Sequence, residues 1–257
     1  MTTFKFSNIN IFRGNPDLDA SLTDAIDLGF LKRWDKLTLS TSLYYNVTKN
    51  DSQFVRYIEN TNGTDIPVTV TSFVNVGSEY RTGFEFTLNY SPYKWWKLNS
   101  NFNFFRNEIK GDFYYNYTNN GTPLIGYQDL SRVNNTWSSR LTSKITLPYK
   151  IDWQTNATYN GPQSNAQTKT KGIFAMNLGF SKDVLKDKAT IGLNVSDVFN
   201  SRKRRMTTET VGLYSDAEMQ WRKRQFTLSF TYRFNKKKNE QEKPKRQQQE
   251  DGGDFPG

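Results

Sequence analysis

Apolar and polar side chains alternate residue by residue along most of this chain, a pattern typical of β-strands with one apolar and one polar face. Between positions 36 and 47 the apolar side is formed by Leu37, Leu39, Leu43, Tyr45 and Val47. The polar side is formed by Lys36, Thr38, Ser40, Ser42 and Asn46, with Tyr44 as its one aromatic member. The segment is therefore predicted to be a half-buried strand.

The same alternation predicts about nine strands in all. Further apolar rows occupy 84–90, 96–104, 137–147, 151–159, 174–180, 189–195 and 226–234, and a weaker one passes through Ile26, Leu28 and Phe30. Val68, Val70, Val74 and Val76 keep the parity of 84–90, which predicts one long strand over about 66–91 that projects beyond a membrane.

The predicted connections alternate in length. Those near 34–36, 91–95, 148–150 and 183–187 are tight, that over 161–171 is of medium length, and those over 49–78, 109–135 and 200–220 are long. Short periplasmic turns opposite long extracellular loops are typical of outer-membrane β-barrels. Asn62-Gly63 and Asn120-Gly121 favour hairpin turns, so the long loops are expected to contain strand extensions.

Tryptophans stand near the ends of the predicted strands, where barrels carry interfacial aromatic girdles. The predicted membrane-interface aromatics are Trp34, Trp95, Trp96, Trp137, Trp153 and Trp221. The alternation alone would also fit a soluble barrel.

Composition excludes several classes of protein. With 35% hydrophobic residues and a mean hydropathy of -0.78, no segment approaches the roughly 20 apolar residues of a spanning helix. The absence of cysteine and histidine removes thiol nucleophiles, imidazole bases and the usual zinc and haem ligands. We therefore expect no catalytic residues, metal or cofactor, and no enzyme.

The start lacks an export signal, so a barrel of this sequence is expected to be a fragment.

The formal net charge of +10 lies mostly in loops and in the tail, which disfavours a nucleic-acid groove.

Two basic runs flank the last long loop. Their arginines are candidate ligands for phosphates of the outer-leaflet glycolipid: Arg202, Arg204, Arg205, Arg222 and Arg224. Arg222 and Arg224 share the parity of Phe226. An ordinary solvated strand end is the competing interpretation.

Aromatic side chains in the long loops form a candidate platform for ligand capture. They are Tyr57, Phe113, Tyr114, Tyr115, Tyr117 and Tyr127, with the densest cluster over 113–117. Packing of these rings among the loops themselves is an equally open interpretation.

Four motifs resemble the C-terminal β-barrel portion of TonB-dependent outer-membrane receptors. They are Arg13-Gly14-Asn15-Pro16-Asp17-Leu18, Tyr80-Arg81-Thr82-Gly83-Phe84-Glu85, Asn194-Val195-Ser196-Asp197-Val198-Phe199-Asn200 and Phe230-Thr231-Tyr232-Arg233-Phe234. In that family a barrel of about 22 strands encloses a plug, and an inner-membrane complex supplies energy for uptake of scarce nutrients. The resemblance implies that this chain is the last part of such a barrel.

We therefore expect an all-β, antiparallel transmembrane β-barrel that is incomplete at about nine strands, in the outer membrane of a Gram-negative bacterium. An N-terminal loop segment (1–19) would precede the partial barrel (20–235), and a disordered, charged periplasmic tail (236–257) would follow. The expected partners are outer-membrane lipid, the remaining strands and plug domain, and a TonB-type energising complex. A small porin or adhesin barrel is the main alternative, and a soluble lipid-binding barrel is a more distant one. The transported substrate stays open.

Overall fold

A computed structural model of the chain describes residues 3–7, 10–60, 67–119, 121–210 and 212–234. Asn62, Gly63, Asn120 and the tail 236–257 lie outside the described residues. Within these ranges the regular secondary structure consists of strands and one 3-10 turn, Pro148–Lys150. The strands are β1 Thr3–Ser7, β2 Asn10–Arg13, β3 Leu22–Arg33, β4 Leu37–Lys49, β5 Ser52–Asn60, β6 Pro67–Asn75, β7 Ser78–Tyr93, β8 Trp96–Lys110, β9 Asp112–Asn119, β10 Thr122–Asp129, β11 Arg132–Leu147, β12 Ile151–Asn160, β13 Gln163–Ser164, β14 Thr168–Thr170, β15 Ile173–Val184, β16 Ala189–Ser196, β17 Arg204–Thr210, β18 Leu213–Met219 and β19 Gln225–Tyr232.

Nine of these strands form one large sheet, in the order β3-β4-β7-β8-β11-β12-β15-β16-β19. All neighbours in this barrel sheet are antiparallel. Short turns join its strands at one rim, and the long connections leave from the other rim. The nine predicted strands and the alternating connection lengths are confirmed.

The two faces of the barrel sheet separate apolar from polar side chains. One row crosses five neighbouring strands in register, from Leu28 through Leu43, Phe84 and Phe104 to Trp137. All five are exposed, from 36% for Phe84 to 71% for Leu28, so this row lies on the outer surface and not in a dry centre. A continuous apolar surface of this extent requires an apolar environment.

The opposite face carries hydrogen-bonded polar side chains. The Thr87 hydroxyl donates to Asn101 Oδ1 at 2.9 Å, and the Thr142 hydroxyl donates to Asn156 Oδ1 at 2.9 Å. Such cross-strand pairs stabilise the sheet without an apolar layer. This face is consistent with the predicted wet interior.

The barrel sheet has two open edges, β3 and β19, and every residue of both strands is exposed. Because the sheet has nine antiparallel strands, its first and last strands run in the same direction, away from the rim of the long connections. They therefore cannot close on each other in antiparallel fashion.

The remaining ten strands belong to the long connections and the N-terminal segment, and together they are called the loop crown. They form three small sheets, β1-β2-β6-β5, β9-β10 and β13-β14-β17-β18. The prediction that the long loops contain strands is confirmed. The N-terminal segment, expected as a loop, contains the strands β1 and β2.

The prediction of one strand over 66–91 is wrong. The chain changes direction at Gly77, whose φ of 86° is accessible to glycine and strained for other residues. A Cβ at Gly111, on the next connection, would overlap the backbone carbonyl of Val76, so the two segments touch at this corner. The segment before Gly77 is β6 of the loop crown, and the segment after it is β7 of the barrel sheet.

The buried hydrophobic cluster of the described residues lies in the loop crown and at the adjoining rim. Its members are Val55, Val74, Val76, Ile109, Leu130 and Ala166, with Phe113 packed against them. The valines before Gly77 are thus buried among connections, although their parity matches the outward row of the barrel sheet. No helix in the described ranges is long and apolar enough to cross a membrane.

Candidate functional site

Connections from four parts of the chain meet at the backbone of Arg56 on β5. Arg56 N–H donates to Gln167 Oε1 at 2.7 Å, and Gln167 Nε2 donates to the Arg56 carbonyl at 2.8 Å. Gln167, between β13 and β14, is only 8% exposed. Its side-chain amide therefore continues the hydrogen bonding of β5, an edge strand of its sheet.

Two further side chains complete this junction. Gln167 Nε2 donates to Gln128 Oε1 at 2.5 Å, and the Thr210 hydroxyl donates to the Arg56 carbonyl at 3.3 Å. Gln128 belongs to β10 and Thr210 to β17. The junction fixes four connections against one another, and no motif in the sequence indicates it because its members stand up to 154 positions apart.

The predicted ligand-capture aromatics divide between two faces. Tyr57 of β5 contacts Phe113 and Tyr115 of β9, with ring centroids 5.3 and 5.1 Å apart, and Tyr115 in turn contacts Tyr117. All four rings are half-buried. Burial raises the pKa of the Tyr57 phenol. These rings pack between hairpins of the loop crown.

Tyr114 and Tyr127 lie on the opposite face of the β9-β10 hairpin. They are register partners with ring centroids 5.2 Å apart, and they are 63% and 52% exposed. Tyr127 donates a hydrogen bond to Asp112 Oδ1 at 3.0 Å, which raises the pKa of the phenol. Of the six predicted rings, these two offer an accessible aromatic surface, and Ile125 beside them is exposed.

The basic residues of the last long connection are partly engaged within the protein. Arg205 Nε and Lys203 Nζ both bind the Glu218 carboxylate, at 2.7 and 3.0 Å. Hydrogen bonds from Arg205 and then from Lys203 lower the pKa of Glu218. Arg204 is half-buried, while Arg202 and Arg205 are exposed.

The second basic run is not part of a strand. Strand β19 begins at Gln225, so the parity argument that aligned Arg222 and Arg224 with Phe226 does not hold. Arg224 instead donates to the Val198 carbonyl at 3.1 Å, and its guanidinium lies 5.8 Å from the Phe226 ring centroid. Arg222 is exposed.

The motif over 194–200 forms a capped turn after β16. Asp197 is only 3% exposed, and its carboxylate accepts hydrogen bonds from the backbone N–H groups of Ser201 and Arg202, both at 3.0 Å. Burial opposes ionisation of this carboxyl, but the hydrogen bonds outweigh it and the pKa is lowered. Asn200 Oδ1 accepts from Gln220 Nε2 and from Arg224 N–H, which ties the turn to the start of β19.

The tryptophans lie at two levels of the barrel sheet. Trp34, Trp95, Trp96 and Trp153 are in or next to the short turns, and Trp96 Nε1 donates to the Ser143 hydroxyl at 3.1 Å. Trp137 lies toward the rim of the long connections, and Trp221 lies in the last of these connections, 71% exposed. The assignment of these tryptophans to the membrane interfaces stays a prediction.

A groove of about 320 Å³ lies on the polar face of the barrel sheet. Its polar lining comes from β7, β8, β11 and β12, and includes Glu85, Thr87, Asn101, Asn103, Arg140 and Thr158. In the described part of the chain, no three residues of the types His, Cys, Asp or Glu gather into a metal-binding group. The groove therefore presents mixed charge and hydrogen-bonding groups.

The protein family that matches this chain agrees with this architecture. No match was found among curated proteins. Among solved structures the chain is similar to the FrpB iron transporter from Neisseria meningitidis (F3-3 variant), with 15% identity and a TM-score of 0.47. That alignment covers 87% of this chain and 33% of the transporter, so the chain spans about a third of its length. The model of the outer membrane protein beta-barrel family matches residues 2–232, and the chain thus belongs to this family of the outer membrane.

Proposed function

We propose that this chain is the wall and the extracellular capture surface of a TonB-dependent receptor that imports a scarce nutrient. In this role it is a scaffold and not an enzyme. The observation that carries the proposal is the pair of open edges, β3 and β19, which run in the same direction. Unpaired backbone groups in a bilayer cost several kcal/mol each, so both edges require further strands.

The count of strands argues against a small self-contained barrel. Bacterial outer-membrane barrels of a single chain have an even number of antiparallel strands, whereas the sheet formed by the described residues has nine. A larger barrel that supplies the missing strands satisfies both edges at once. The incomplete sheet therefore favours the receptor over the small porin or adhesin.

The loop crown also supports a receptor. Its connections are bound to one another through Gln167 and the buried cluster around Val55, and rigid supports favour precise ligand recognition. The exposed pair Tyr114 and Tyr127 provides rings for stacking on a ligand. We propose this pair as the capture surface.

The experiment compares cells that carry the intact gene with cells from which the region encoding this chain has been deleted. Both are grown with iron chelates, cobalamin, glycans or peptides as the limiting nutrient, and periplasmic accumulation of each labelled nutrient is measured. We expect deletion to abolish accumulation of one nutrient class. Removal of the TonB-type protein should abolish the same accumulation while surface binding persists. Accumulation that is independent of the energising protein would overturn the proposal in favour of a porin.

The capture surface is tested with the double variant Tyr114→Ser and Tyr127→Ser. Loss of both rings should weaken ligand binding by about thirtyfold, since each stacked ring contributes on the order of 1 kcal/mol. The matched control is Tyr149→Ser, because Tyr149 is 84% exposed at the opposite rim. Equal binding by the double variant and the wild type would exclude these rings from the capture surface.

A further inference from the structure

A second pocket, of about 340 Å³, opens on the outer face of the barrel sheet near the rim of the long connections. It is lined by Tyr45, Tyr80, Thr82, Arg106, Glu108 and Lys110. None of these residues belongs to the groove on the polar face. An occupant of this pocket would therefore approach from outside the barrel and not from the groove.

The register of the strands fixes which way the pocket faces. Tyr45, Thr82 and Arg106 are partners across β4, β7 and β8. They stand two positions from Leu43, Phe84 and Phe104, which form the outward apolar row. Side chains two apart on a strand share a face, so Arg106 points outward.

The pocket begins where the apolar band ends. The outward row of β8 from Trp96 to Phe104 is mostly apolar and has an apolar residue at each end. Its length along the strand is about 26 Å, at roughly 3.3 Å per residue. These nine residues fit the roughly 9–11 residues that a tilted strand needs to span a bilayer. Arg106, Glu108 and Lys110 follow on the same face toward the long connections, at the level of the outer-leaflet headgroups.

The pocket carries an excess of positive charge. Arg106 and Lys110 both bind the Glu108 carboxylate, at 2.9 and 3.1 Å, so two cations share one anion. Their side chains remain 51% and 62% exposed, and Lys110 Nζ lies 5.1 Å from the Tyr80 ring centroid. A single carboxylate cannot accept from all the donors of a guanidinium and an ammonium.

We propose that this pocket binds a phosphate group of the outer-leaflet lipopolysaccharide. The Arg106 guanidinium matches phosphate geometry through paired N–H donors, and Lys110 adds a second charge. The hydroxyls of Tyr45, Tyr80 and Thr82 can donate further hydrogen bonds to phosphate or sugar oxygens. The apolar row below would contact the acyl chains of the same molecule.

The experiment uses the outer-membrane protein that carries this chain, purified in mild detergent and freed of lipid. Binding of intact lipopolysaccharide is compared with that of phosphatase-treated lipopolysaccharide. The test variant combines Arg106→Gln with Lys110→Gln. The matched control combines Arg81→Gln with Arg132→Gln, which removes two cations at the same height on the opposite face.

We expect the test variant to bind intact lipopolysaccharide about tenfold or more weakly than the wild type, as for loss of charge-assisted hydrogen bonds. The control should bind as the wild type does. Phosphatase treatment of the lipopolysaccharide should remove the difference in binding between the wild type and the test variant. If the double variant folds poorly, Lys110→Gln alone should give a smaller loss. Wild-type binding by the test variants, or an equal loss in the control, would overturn the proposal.

Discussion

The aromatic ring of Tyr44 lies directly over Gly83, its register partner on the neighbouring strand. The Tyr44 hydroxyl donates to Asn103 Oδ1 at 3.0 Å on the strand beyond. One side chain thus spans three strands of the polar face, and it can do so because Gly83 has no Cβ. An aromatic ring over a strand glycine covers backbone that would otherwise be unsupported.

Substitution Gly83→Ala should destabilise the barrel sheet. A Cβ at this position would overlap the Tyr44 ring, so the ring must move and its hydrogen bond to Asn103 is strained. We expect a loss of about 1–3 kcal/mol, typical of overpacking, measured as a lower midpoint of thermal unfolding. Gly29→Ala is the matched control, since its Cβ would come no closer than 3.9 Å to the Thr41 carbonyl oxygen. Equal midpoints for the two variants would contradict this account.

Substitution Gln167→Met should loosen the loop crown and leave the barrel sheet intact. It removes both hydrogen bonds to the Arg56 backbone and leaves buried groups without partners, at a cost of about 1–3 kcal/mol. Limited proteolysis should show faster cleavage around β5 and β10. The control is Gln163→Met, at an exposed glutamine of the same connection. This variant should be cleaved at the wild-type rate. Unchanged protection in Gln167→Met would show that the junction is dispensable.

The capped turn at Asp197 should make stability depend on acid pH. Its folded-state pKa is lowered, so the stabilisation is present above the unfolded value of about 3.9 and is lost as pH falls through the folded pKa. Asp197→Asn should cost about 1.5–3 kcal/mol at neutral pH and should lack this acid step. The measurement is the thermal midpoint followed from neutral to strongly acidic pH. Asp216→Asn, at an exposed site in the same connection, should retain the wild-type profile. If the acid step survives in Asp197→Asn, another group must cause it.

Local alternation predicts some segments of this chain correctly and others wrongly. The strand through Leu37 and Leu43 and the tight turn at Trp95 follow from local alternation, and the structure confirms them. Val68 and Val70 carry the same alternation, yet they are buried in the loop crown. An apolar row has the same composition whether it meets lipid or another connection, so the pattern alone cannot distinguish the two environments.

The six candidate aromatics illustrate the same limit at the level of a site. Their sequence indicates a cluster, but only the pairing of β9 with β10 and the contact with Tyr57 separate the packed rings from the exposed pair. The pocket around Arg106 was not predicted at all. Its residues come from three strands, and neither Arg106 nor Lys110 lies in a basic run.

By itself the sequence determined the strands, their two faces and the alternation of short and long connections, because the side-chain period of a strand is two and is set locally. The tertiary structure decided where the chain turns at Gly77, that the buried core lies among the connections, and that Gln167 meets Arg56 across 111 positions. These features depend on close approach between distant segments. Such approach is governed by packing and by the satisfaction of hydrogen bonds. A local periodicity carries no information about either.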